Sequence, residues 1–119
     1  MIDDIFCKIV HKELPADIVW EDDEFLVIND IHPQAPVHVL IIPKQHLDAI
    51  HAVVDHAQLD ILGKMLAVAS QAAQKLSVTD KGYRLIVNQG ANAGQLVPHL
   101  HMHLLAGKKL GPKIVSAVD

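Results

Sequence analysis

Residues 99–105 read His-Leu-His-Met-His-Leu-Leu, and their alternation decides how the rest of the chain is read. Successive side chains of a β-strand point to opposite faces, so His99, His101 and His103 are predicted to share one face. Leu100, Met102 and Leu104 then face the core. A strand that only fills a core has no use for three imidazoles in a row. Such a row can bind a metal, relay protons or attack an electrophile.

Two of these chemistries stay open on the residues alone. Three imidazoles plus a water make a catalytic zinc site. However, three positions on one strand face spread over about 13 Å at roughly 3.3 Å per residue. Metal-bound histidines also rest on carboxylates or carbonyls, and no carboxylate is near in sequence. In the nucleophile reading, a neutral imidazole attacks phosphorus while its other nitrogen is held by a backbone acceptor. The preceding loop, Gln89-Gly90-Ala91-Asn92-Ala93-Gly94-Gln95, suits an anion, because glycine lets backbone N–H groups approach closely.

Working outward, 13 of the 14 carboxylates lie at or before Asp80, and none falls between residues 81 and 118. Lys81, Arg84, Lys108, Lys109 and Lys113 fall inside that stretch together with the histidines. A site for an anionic substrate is expected to lack like charge. The net charge of −4 gives no reason to expect nucleic-acid binding.

The remaining chain reads as one α+β domain over residues 1–119. Residues 4–12 read as a short helix, and 18–20, 25–29, 37–42 and 83–88 as strands. Residues 31–36 are a loop broken by Pro33 and Pro36, and 47–54 read as a second short helix. The long helix covers residues 57–76. It carries one apolar stripe of Leu59, Leu62, Leu66, Ala69, Ala73 and Leu76, and a second of Ile61, Met65, Val68 and Ala72. Two stripes exceed what one sheet covers, which predicts a subunit interface. Short connections favour antiparallel strands. No apolar run is long enough for a membrane span, and the N-terminus predicts no signal peptide. With a single cysteine, Cys7, the chain is expected in a reducing cytoplasm.

Further blocks accompany the histidine row. Ile5-Phe6 stands with Lys8-Ile9, followed by Glu13-Leu14-Pro15-Ala16 and Glu21-Asp22-Asp23. Asp30-Ile31-His32-Pro33-Gln34-Ala35-Pro36 precedes His38, and Ile42-Pro43-Lys44-Gln45-His46 comes next. Gly82-Tyr83-Arg84, Val87-Asn88-Gln89-Gly90 and Gly94-Gln95 lead into the row. In this order the blocks, spread over residues 5–105, resemble the histidine triad (HIT) superfamily, in particular its Hint branch of nucleotide-binding phosphoramidases.

That resemblance implies a HIT-like fold whose two five-stranded sheets join across a homodimer, and a site for a purine nucleoside monophosphate or its phosphoramidate. By matching position it implies that His101 is the nucleophile, that His99 and His103 orient it and hold the α-phosphate, and that His38 stands behind it. It implies Asp30 on the ribose hydroxyls, Ile31 against the base, and Asn88, Gly94 and Gln95 along the phosphate and ribose. The reaction so implied is hydrolysis of purine nucleoside 5′-phosphoramidates through a nucleotidyl-histidine, with no metal or other cofactor. A dinucleoside polyphosphate hydrolase, a non-catalytic nucleotide-binding module and a zinc hydrolase are the rival readings.

The chain departs from the family at three places. Leu96 stands where relatives often have a small hydroxyl residue, and Pro98 where they have an aromatic. Some bacterial relatives bind a structural zinc through Cys-x-x-Cys, whose first position here is Asp4, leaving Asp4, Cys7, His46 and His99 as a possible set. Cys7 read alone is a buried, apolar-like residue. The tail is residues 106–119, and from Gly107 to Asp119 it has no family counterpart. His11, His32, His51 and His56 are expected at the surface.

Overall fold

Alternating apolar residues, interrupted by proline, glycine and acidic turns, give five short strands. A computed structural model of the chain describes residues 4–112. The strands are β1 (Ile18–Glu21), β2 (Phe25–Asn29), β3 (Val37–Pro43), β4 (Tyr83–Ile86) and β5 (Met102–Ala106). They form one sheet in the order β1-β2-β3-β5-β4, and every neighbouring pair is antiparallel. Helix α1 (Ile5–Val10) and the long helix α2 (His56–Lys75) complete the α+β fold.

The two-residue period of the strands sorts the core into two clusters. Phe25, Val27, Val39, Ile41, Met102 and Leu104 pack on one sheet face with Ile61, Met65, Val68, Ala69, Ala72 and Ala73 of α2. Leu26, Ile28, Leu40 and Ile42 pack on the other face with Phe6 and Ile9 of α1. Each helix begins on an aspartate. Asp4 Oδ1 accepts from the Cys7 N–H, and Asp55 Oδ1 accepts from the Gln58 N–H, satisfying amides that have no partner within the helix.

Of the two stripes on α2, that of Ile61, Met65, Val68 and Ala72 is buried on the sheet. Ala69 and Ala73 join it, while Leu59 and Leu66 stay about half exposed.

Two local expectations fail. Residues 47–54 hold only a turn of 3-10 helix at Ile50–Ala52. The Leu47 carbonyl, which would open a helix there, instead accepts from the Leu100 N–H at 2.6 Å. The histidine strand is also shorter than its sequence pattern, because β5 begins at Met102 and only His103 lies within it. Upstream, the Leu100 N–H is bound to Leu47 and the His99 carbonyl to the His101 ring, so neither joins a ladder. The alternation survives without the ladder, since Leu100, Met102 and Leu104 all enter the α2-side core.

Among the described residues, no helix is long and apolar enough to cross a membrane. Residues 113–119 of the tail lie outside the described residues.

Candidate active site

Alternation along β3 and β5 turns His38 and His103 toward the α1 side, opposite to Val39 and Leu104. In the antiparallel register His38 faces Leu105 and Leu40 faces His103, so the two imidazoles are diagonal neighbours. His38 Nε2 lies 2.9 Å from His103 Nδ1. The Gln34 N–H donates to His38 Nδ1 at 3.0 Å. A backbone amide can only donate, so it fixes His38 Nδ1 as an acceptor. The His38 proton therefore sits on Nε2 and is donated to His103 Nδ1. The His103 proton is left on its own Nε2, where it can be given to a ligand. Asp30 Oδ2 lies 3.4 Å from His38 Nε2. The His103 imidazole is pushed down to about 4, first by burial and then by the His101 and His38 rings beside it. It is thus a neutral N–H donor at pH 7.

His101 has the complementary arrangement. Its Nδ1 donates to the His99 carbonyl at 2.7 Å, which leaves a lone pair on Nε2. Burial lowers its pKa, against the opposing effect of the carbonyl bond. The Phe6 ring packs edge-on to it at 4.9 Å, and the His103 ring lies 5.2 Å away. A neutral imidazole lone pair beside a neutral imidazole N–H is suited to attack on an anionic phosphorus centre. The first supplies the electron pair and the second meets the oxygens.

His99 stands apart from the other two. It is fully buried, its Nε2 donates to the Pro43 carbonyl at 2.9 Å, and its Nδ1 faces Asp4 and Cys7. Its carbonyl orients His101, while its ring points to the back of the site.

The flanking residues have mixed placements. Asp30 Oδ1 accepts from the His32 N–H, and the next residue, Ile31, is 83% exposed at the site's edge. Asn88 is half-buried after β4. Gly90 and Gly94 have φ of 87° and 83°, a backbone region that disfavours other residues. Gln95 braces their loop by accepting from the Gly90 N–H and donating to the Val97 carbonyl. The Gly94 N–H is taken by the Ala91 carbonyl. Leu96 is 93% exposed, and Pro98 is exposed as well. His11, His32, His51 and His56 lie at the surface.

Behind the triad, Asp4, Cys7, His46 and His99 each aim one donor atom at a common point, all within 4.8 Å of one another. Cys7 Sγ is 3.2 Å from His46 Nδ1 and 3.6 Å from His99 Nδ1. Asp4 Oδ2 is 3.1 Å from His46 Nδ1 and 3.2 Å from His99 Nδ1. Zinc bonds of about 2.0–2.3 Å set the edges of a tetrahedron at roughly 3.3–3.6 Å, so the donor set fits the structural zinc of some bacterial relatives despite Asp4 in place of the first cysteine. Both imidazoles also have their outer nitrogen engaged, His99 by Pro43 and His46 by Asp48. Burial pushes the Asp4 carboxyl up, but the Cys7 N–H and the His99 and His46 rings outweigh it and hold the carboxyl below its ordinary value. Bound zinc would supply a fixed crosslink among these residues.

Sequence reasoning gave no role to three of these groups. The Gln34 amide carries no side-chain signal. Asp48 was readable only from its spacing of two from His46. Phe6 stood in a quoted block without a role.

The HIT domain family matches residues 11–110. This chain belongs to that family. The purine nucleoside phosphoramidase of Escherichia coli K12 is 45% identical over 111 residues, covering 92% of each chain. Among solved structures, a histidine triad protein from Clostridium difficile superposes with a TM-score of 0.90 at 41% identity, covering 96% of this chain and 98% of its own. A HIT family hydrolase from Clostridium thermocellum gives 0.90 at 46% identity, covering 97% and 99%. The HIT fold read from the histidine row and its accompanying blocks is therefore the fold of this chain.

Proposed function

We propose that this HIT protein hydrolyses purine nucleoside 5′-phosphoramidates in two steps. The observation that carries the reading is the opposed protonation of two adjacent rings, with His101 Nε2 bare and His103 Nε2 carrying a proton. In the first step the His101 lone pair forms a bond to the α-phosphorus, and the phosphorus–nitrogen bond breaks. The departing nitrogen keeps that electron pair and takes a proton from solvent. In the second step water attacks the phosphorus, the bond to His101 breaks, and a proton returns to solvent. Over both steps one water is consumed, and amine and nucleoside monophosphate are released. The His103 N–H meets the phosphoryl oxygens, and the His99 carbonyl keeps His101 in its reactive tautomer throughout. None of these steps draws on a cofactor.

In this reading Asp30 receives the ribose hydroxyls and Ile31 lies against the base, while Asn88, Gly94 and Gln95 line the phosphate side. The name of the Escherichia coli relative supports the substrate class. The test is a turnover panel. Adenosine 5′-phosphoramidate should be cleaved faster than a diadenosine polyphosphate. The reverse order would place the chain among polyphosphate hydrolases, and no turnover of either would make it a binding module.

A homodimer and a cytoplasmic location belong to the same reading. Exposed Leu59 and Leu66 on α2 are the apolar surface that a second copy would cover. Sedimentation should then give twice the 13.0 kDa chain mass. A stable monomer at micromolar concentration would remove the dimer from the account.

A further inference from the structure

The loop between β2 and β3, residues 30–36, carries the Gln34 amide that sets the His38 tautomer, so whatever holds this loop bears on the donor state of the site. Its neck is closed by the Asp30 N–H, which donates to the His38 carbonyl at 2.9 Å. Within it, the His32 N–H donates to Asp30 Oδ1, and the Gln34 side-chain amide donates to the His32 carbonyl. These bonds are local. A contact from a distant part of the chain comes from Gly107. Pairing of β3 with β5 ends at Val37 and Ala106, and the residues just beyond, Pro36 and Gly107, meet past the last rung. Gly107 turns there with a φ of 93°. A Cβ on Gly107 would lie 2.8 Å from Pro36 Cβ, 3.3 Å from Pro36 Cγ and 3.4 Å from the Val37 nitrogen. The first distance is well inside the roughly 3.5 Å of an ordinary carbon contact. A proline ring is tied to its own backbone and cannot rotate aside.

We propose that Gly107 is a positioning residue for the active site: its bare backbone seats Pro36, and Pro36 keeps the Gln34 amide on His38 Nδ1. The proposal rests on the reading that the His103 N–H meets the phosphoryl oxygens. Pro36 stands two residues from Gln34 and two from His38, so a push on its ring moves the amide relative to the imidazole it addresses. The Gln34 bond, at 3.0 Å, has little slack. Once the amide withdraws, nothing in the loop requires His38 Nδ1 to be an acceptor, and the proton can sit there. His38 Nε2 then accepts from His103 Nδ1 across the same 2.9 Å, and His103 Nε2 is left bare. The two rings keep their two protons, and only the direction of donation reverses. A lone pair would face the phosphoryl oxygens where an N–H had met them. One methyl group at the end of β5 thus reaches the site through a loop, without touching the substrate.

The test reads the tautomers by heteronuclear NMR of the imidazole nitrogens in the full chain, beside kcat and KM for adenosine 5′-phosphoramidate. In the wild type, His38 and His103 should both be protonated on Nε2. Gly107→Ala should give both rings a share of the Nδ1–H form. It should lower kcat by at least about 10-fold, within the roughly 10²-fold that a 1 Å misplacement costs elsewhere, with a smaller change in KM. Gly82→Ala controls for backbone strain, because Gly82 has a φ of 102° but open space where a Cβ would go. That variant should lower the melting temperature and leave kcat and both tautomers as in the wild type. In the Pro36→Gly background the ring is gone, and adding Gly107→Ala should cost less than about twofold in kcat. Pro36→Gly alone removes the seat from the other side and should itself mix the tautomers, which keeps the test open if Gly107→Ala does not fold. Should the wild type cleave no phosphoramidate, the proposed reaction fails while the tautomers still decide the role of Gly107. An unchanged His38 tautomer in Gly107→Ala, or in Pro36→Gly where the first variant does not fold, would overturn that role. So would an equal cost of Gly107→Ala with and without the Pro36 ring.

Discussion

His101→Ala should lower turnover of adenosine 5′-phosphoramidate by at least about 10³-fold, the scale on which enzymes lose rate when a nucleophile is removed. The reason is local. Within the site, His101 has its Nδ1 fixed on a backbone carbonyl and its Nε2 unprotonated and unengaged. Neighbouring rings cannot replace it. His99 directs both nitrogens away from the site, and His38 and His103 use their facing nitrogens on each other. Substrate binding should survive, because the ring is removed without adding charge. A KM near the wild-type value with collapsed kcat separates lost chemistry from lost folding. Turnover within about tenfold of wild type would move the nucleophile elsewhere.

His103→Ala should lower kcat by about 10²- to 10³-fold, the loss seen when one preorganised donor to a developing oxyanion is removed. It also leaves the His38 Nε2–H without its acceptor inside the site. A second readout distinguishes this role from packing. The His103 pKa falls from 6.5 in the unfolded chain to about 4 in the folded one. Between those values the unfolded state binds the extra proton, so this group makes folding less stable as pH falls through 6.5 toward 4. Alanine removes that penalty. The difference in melting temperature between wild type and His103→Ala should therefore be smaller at pH 5 than at pH 7. A difference that stays constant with pH would show that the imidazole is not held neutral by the fold.

The divide between legible and hidden features follows from range. The alternation of residues 99–105 gave the two faces correctly, because Leu100, Met102 and Leu104 enter the core and His101 and His103 face away from it. Strand existence was readable from two-residue periods, and α2 from its stripe of Ile61, Met65, Val68 and Ala72. The start of β5 was hidden, because it depends on the Leu47 carbonyl taking the Leu100 N–H across more than fifty residues. The same bond explains why residues 47–54 do not form the expected helix.

Electrostatics were hidden for a related reason. Residues 81–118 carry no carboxylate, yet the fold brings Asp30 to His38 and Asp4 to His99 from the first part of the chain. The direction of proton donation along His38 and His103 depends on the Gln34 backbone amide, which every residue but proline possesses. No side-chain pattern could announce it. His101 could be named from its central place in the row, whereas the state of its two nitrogens required the fold.

The central claim is that the reaction passes through a covalent bond to His101 Nε2. Mixing excess enzyme with adenosine 5′-phosphoramidate labelled at phosphorus, then quenching within one turnover, tests it directly. Label should be found on the protein through an acid-labile, base-stable bond, should map to the peptide containing His101, and should be absent from His101→Ala. Product formed within one turnover with no label on the protein, or label on another histidine, would contradict the account.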